Sequence, residues 1–137
     1  MLSYNAYGLK KQTTTSFLHR RLLTGVLYIG TFTVVVLYWR QPFTALALLI
    51  GLSIVLNAVT GWKLIKMYVV CAVLGPISEI ICIRAGAWHY GHPQFLGIPI
   101  WLPFVWGNAS ILFFELAEQF GHIKIVSVAQ RRSAKRR

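Results

Sequence analysis

Uncharged apolar runs occupy positions 22–39 and 43–60, and two further runs, 64–83 and 98–117, are apolar with few interruptions. Each is close to the roughly 20 residues that an α-helix needs to cross hydrocarbon. Arg40 and Pro42 close the first run. Gly61, Trp62 and Lys63 close the second with a turn residue, an interface aromatic and a cation. The third carries Lys66 near its start, where a lysine can snorkel, and Glu79 near its end, with Pro76 expected to kink it. The fourth opens on Pro99 and Pro103, in an early turn where a missing N–H does least damage. The pattern predicts an all-α, polytopic membrane protein with four transmembrane helices. Its expected divisions are a polar, basic N-terminal segment (1–21), a four-helix transmembrane domain (22–117) and a basic tail (118–137).

Composition narrows the class further. Of 137 residues, 56% are hydrophobic and 12% charged, against about 25% charged in an ordinary soluble domain. A soluble chain of this size and a mean hydropathy of +0.60 would leave large apolar patches in water. Disorder needs lower hydrophobicity, and a coiled coil needs dense flanking charge. The net charge of +11 arises from 14 Lys and Arg against three acids. No basic stripe interleaves with aromatics on a polar face, so no nucleic-acid partner is expected.

The cations instead read as topology signals. Lys10, Lys11, Arg20 and Arg21 precede the first run, and Lys63 and Lys66 separate the second from the third. Lys124, Arg131, Arg132, Lys135, Arg136 and Arg137 follow the fourth. Only Arg40 and Arg84 fall in the alternate connections, so the positive-inside rule places both termini in the cytoplasm. The polar stretch 3–16 lacks the form of a secretory peptide, and the first helix is expected to stay in the mature protein of an inner or plasma membrane. Gly25, Gly30, Gly51 and Gly75 can allow close helix approach. Cys71 and Cys82 read as small buried hydrophobes.

Among candidate chemical groups, Glu79 stands out because a carboxylate inside a spanning helix costs a few kcal/mol to insert. It has two readings: pairing with Arg84 at the outer interface, or a neutral carboxyl able to donate a proton. Trp88, Tyr90, Trp101 and Trp106, with Phe95 and Phe104, gather at the same membrane face. They form either an aromatic belt or a pocket for an apolar chain, with Asn108 as a further polar neighbour. His89 and His92 lack the spacing of a metal site, and Glu115, Glu118 and His122 read as one acidic helix face. No phosphate loop, nucleophile elbow or zinc spacing is present, so neither cofactor nor metal is expected.

Glu79, Gly86, Tyr90, Leu96-Gly97, Pro99, Pro103 and Trp106 together resemble a region of the carotenoid hydratase family of small membrane proteins, related to bacterioruberin synthesis. The portion from Trp88 to Pro99 is similar to the lycopene cyclase domain, where a Trp-x-Tyr loop leads through a Leu-Gly turn into a helix. The resemblance implies protonation of a terminal alkene to a tertiary cation, followed by hydration or cyclisation, with Glu79 as the acid. Two functions follow. One is a non-catalytic lipid-binding or assembly subunit, whose partners are membrane lipid or isoprenoid, another membrane protein or a second copy. The alternative is an isoprenoid- or carotenoid-modifying enzyme.

Overall fold

In a computed structural model, residues 14–134 are described, with side chains for 19, 21–61 and 63–118. Four α-helices follow one another: α1 (Thr14–Tyr38), α2 (Pro42–Thr60), α3 (Ile65–Arg84) and α4 (Leu102–Ala134), with a short 3-10 turn (Trp62–Leu64) leading into α3. Three of them are long and apolar enough to cross a membrane: α1 over Arg21–Tyr38, α2 over its whole length and α3 over its whole length. The expected helical membrane protein is therefore present in its coarser form. α4 differs from the other three because Asn108, Ser110, Glu115 and Glu118 interrupt its apolar stretch.

The first three runs become helices within a few residues of their ends, apart from an earlier start for α1. α2 begins with Pro42 at its first position, and α3 runs on through Pro76. The fourth run behaves differently at both ends. Its helix starts at Leu102, because residues 98–101 turn before it: Leu102 N–H bonds to Pro99 O at 3.1 Å and Phe104 N–H to Trp101 O at 3.1 Å. Ile98 and Trp101 are nevertheless buried, so their apolar character serves the core from a non-helical stretch. At the far end α4 continues through Ala134, past the boundary at 117 expected from hydropathy.

Packing is densest between α3 and α4, with α1 against α2 next. Two interlocks hold the α3–α4 pair. A Cβ on Gly75 would meet the Trp106 ring at 2.3 Å, and one on Gly107 would meet the Tyr68 ring at 2.5 Å. Each helix thus supplies one aromatic plate and one bare backbone patch, the small-residue contact that membrane helices use where no hydrophobic drive exists. Of the four glycines expected to allow close approach, Gly75 does so. Gly30 has ordinary contact with Leu52, and Gly25 and Gly51 meet open space because they lie away from the helix contacts.

Two apolar clusters fill the interior. One, of Ala45, Leu49, Ile98, Trp101 and Leu102, lies at the end where the 39–41 turn and the 85–101 loop meet. The other is formed by Leu56, Tyr68 and Ile111. The two connections touch directly: the Trp39 and His92 rings pack edge to face at 5.3 Å, and the Arg40 guanidinium covers Trp39 at 4.7 Å. α1 and α3 therefore run toward this end, and α2 and α4 away from it.

Candidate functional site

Two polar groupings stand out, one in the interior and one under the 85–101 loop. The interior grouping begins with Asn108, which has no solvent exposure. Its Nδ2 donates to Thr31 Oγ1 at 3.1 Å, and its Oδ1 accepts from Ser53 Oγ at 2.9 Å. Tyr68 OH donates to the same Ser53 Oγ at 2.9 Å. One side chain from each of the four helices thus enters a single hydrogen-bonded node. Ser53 has one proton, shared between Asn108 Oδ1 and Leu49 O at 2.7 Å, while its lone pairs accept from Tyr68. Thr31 also donates to Leu27 O at 3.2 Å. The node sits between the two apolar clusters, where an unmade hydrogen bond costs most.

Seven residues from three of these positions lie Thr24, Thr60 and Glu115, all buried, with Glu115 only 4% exposed. Given the helix directions, the three step away from the loop end by about 10.5 Å, or two helical turns. Asn57 lies between the layers, its Nδ2 donating to Ser53 O at 2.8 Å. Its buried Oδ1 has no hydrogen-bond partner among the described residues. Glu118 is exposed, and the side chain of His122 lies outside those described.

The second grouping is built by the end of α3. Gly86 N–H bonds to Ile83 O and Ala87 N–H to Cys82 O, each at 3.0 Å, with Gly86 at φ 79°. This is the Schellman closure that a glycine in the left-handed region permits. It reverses the chain so that Trp88 hangs back over the last turns of its own helix. Trp88 Nε1 donates to Glu79 Oε2 at 3.0 Å. Tyr90, two residues further, hydrogen-bonds to the same carboxylate. Burial, then the Glu79 charge and that hydrogen bond, push its pKa up to about 12.

Among the described residues Glu79 forms no ion pair with Arg84. Five residues is about 140° around a helix of 3.6 residues per turn, and Arg84 points to an exposed side. The carboxylate takes neutral donors from the loop instead.

The rest of the loop is fastened over this site. Phe95 and Ile98 exchange backbone hydrogen bonds of 3.1 and 2.8 Å across Leu96 (φ 49°) and Gly97 (φ 89°), a tight turn with both central residues left-handed. A Cβ on Gly97 would come within 3.1 Å of Ile83, so the turn is seated on α3. Gln94 bonds to His92 O and accepts from Ile100 N–H at 3.3 Å.

Of the residues singled out from sequence, Trp88 and Tyr90 are brought to Glu79. Trp101 is buried in the apolar cluster near the loop, with Tyr90 and Trp106 packed against it. Asn108 is placed in the four-helix node rather than beside Glu79. Its partners Thr31, Ser53 and Tyr68 were not anticipated, although lone polar residues at heptad spacing inside apolar runs are a readable signal. Cys71 and Cys82 are free and half-buried. His89 is exposed, and His92 is committed to Trp39. Among the described residues no three His, Cys, Asp or Glu side chains gather as metal ligands.

The outside of the bundle is apolar, with Ile29, Phe32, Val36 and Leu37 of α1 and Val70, Leu74, Ile77 and Ile81 of α3 all exposed. On α1 an open apolar groove of about 380 Å³ is lined by Tyr28, Ile29, Phe32, Thr33, Val36 and Leu37. Fold and surface together define a helical-bundle protein of membrane character. No protein-family model, curated protein or solved structure matches this chain.

Proposed function

We propose that this chain is a non-catalytic lipid-binding subunit of a membrane, with α4 as a fourth span and both termini in the cytoplasm. The observation that carries the reading is the apolar groove of about 380 Å³ along α1, open to the side. The interior offers less to a substrate, since ring-on-glycine packing fills the α3–α4 seam and the node engages the Asn108 amide. Purification in mild detergent followed by a mass-spectrometric inventory of bound lipids and proteins tests the function. Retained lipid or isoprenoid is expected, and a monodisperse chain carrying neither lipid nor partner overturns it.

The orientation rests on the cations. Twelve of the 14 Lys and Arg belong to the two ends of the chain and the α2–α3 connection, whereas Arg40 and Arg84 lie at the opposite end of the bundle. Single cysteines placed in 86–94 should react with an impermeant label from outside intact cells, and one at Ser133 should be spared. The reverse pattern overturns the topology.

The association of Glu79 with Trp88 and Tyr90 supports a second reading, acid-catalysed hydration or cyclisation of an isoprenoid alkene. In it Glu79 protonates the alkene, and the rings stabilise the resulting tertiary cation. Glu79→Gln should then abolish product formation in a carotenoid-producing host while expression persists. Unchanged product removes the acid role.

A further inference from the structure

We infer that Glu79 and Trp88 form a receptor for the ammonium of a zwitterionic phospholipid headgroup; the inference rests on the lipid-binding reading and specifies the lipid. Glu79 accepts from Trp88 Nε1 and from Tyr90. Both donors are neutral, so its negative charge has no cationic counterpart among the described residues. A carboxylate offers about four acceptor positions, and the two donors leave room for a charged one. The site therefore lacks a cation rather than a hydrogen bond.

The indole adds selectivity. Trp88 is 47% exposed, and its N–H is tied to the carboxylate, which holds the ring beside the charge. A carboxylate next to a fixed aromatic surface is the combination that recognises alkylammonium groups, joining ion pairing to cation–π attraction.

Position identifies the source of that ammonium. Glu79 lies five residues before the end of α3, about 7.5 Å of helix, where a spanning helix meets the headgroup layer. Val70, Val73, Leu74, Ile77 and Ile81 form an exposed apolar stripe leading up to this end. Arg84 continues the stripe and is exposed, a cation at the level of lipid phosphate. The stripe lies on the side of α3 away from Glu79, so the headgroup rather than the chains makes the contact: lying across the end of α3, it sets its phosphate toward Arg84 and its ammonium at Glu79. An anionic headgroup satisfies Arg84 but brings no charge to Glu79.

The test uses the full chain in mild detergent, offered an equimolar mixture of phosphatidylethanolamine and phosphatidylglycerol with identical acyl chains, with bound lipid counted by native mass spectrometry. Phosphatidylethanolamine should be retained about tenfold over phosphatidylglycerol, a factor corresponding to about 1.4 kcal/mol. Acetylating the amine of the lipid should abolish the preference, a control that needs no protein variant. Glu79→Gln should bring the ratio close to one with the total lipid count unchanged, and Trp88→Phe should reduce it partway. Equal retention of both lipids by the wild-type chain, a preference for the anionic one, or a preference that survives acetylation overturns the receptor and leaves the lipid-binding reading intact. A wild-type chain that retains no lipid, or a polypeptide in its place, overturns both.

Discussion

The Trp106 indole lies so close to the backbone of Gly75 that a methyl group there would stand 2.3 Å from the ring. No rotamer adjustment absorbs such an overlap without separating α3 from α4. Gly75→Ala is therefore expected to lower stability by about 1–3 kcal/mol, the usual range for overpacking a filled site. Thermal unfolding in detergent measures it. The double variant Gly75→Ala, Trp106→Leu should recover part of the loss, because the smaller side chain vacates the space the methyl enters.

Removing polar groups from the interior node should have graded effects. Tyr68→Phe deletes one hydrogen bond and is expected to cost about 0.6 kcal/mol, the average for bonds between membrane helices. Asn108→Leu removes two and changes shape in a filled interior, so its cost should be larger. Reversible unfolding of both variants in the same detergent checks the order, and equal effects would count against a shared node.

Deprotonation of Tyr90 should be late and linked to Glu79. With its pKa at about 12 against an ordinary 10.0, the phenol stays neutral in the folded state after it would ionise in the unfolded chain. Its contribution is fully present below pH 10 and is lost as pH rises through about 12. Ultraviolet titration of the phenolates, with Tyr90→Phe as the difference reference, should show Tyr90 titrating late. Glu79→Gln should move it back only in part, because burial is the largest cause of the shift.

Gly86→Ala forces a side chain into φ 79° and is expected to cost about 1 kcal/mol. It should also loosen the turn that carries Trp88 to Glu79. Loss of stability by thermal unfolding, together with a shift of the Tyr90 titration toward its ordinary range, is the expected pair of results. A destabilised variant with an unmoved Tyr90 would separate the turn from the site.

Hydropathy made the helices legible because hydrocarbon imposes one coarse requirement on every residue of a run. It could not set the start of α4, since Ile98 and Trp101 are apolar for the sake of a buried turn rather than a helix. Gly75 was readable as a small residue for close packing, but Gly25 and Gly51 carry the same letter on open surfaces. Which glycine faces a ring depends on helix rotation, and a moment spread evenly around an apolar helix does not encode it. Nothing in the sequence marks Gly107 for its contact with Tyr68, for the same reason. The proximity of Glu79 to the aromatic loop could be anticipated from chain position. That Trp88 and Tyr90, rather than Arg84, bond to it follows from the reversal at Gly86, which is a backbone event.

The node also divides its members by where they find their partners. Thr31 and Ser53 can satisfy their hydroxyl protons on Leu27 O and Ser53's own preceding turn at Leu49 O, so α1 and α2 can enter the bilayer as self-sufficient cylinders. Asn108 differs: both ends of its amide are bonded to other helices. α4 is the last of the four helices in chain order, so both residues that bond this amide precede it in the sequence. A chain that ends after α3 therefore lacks the piece that joins all four.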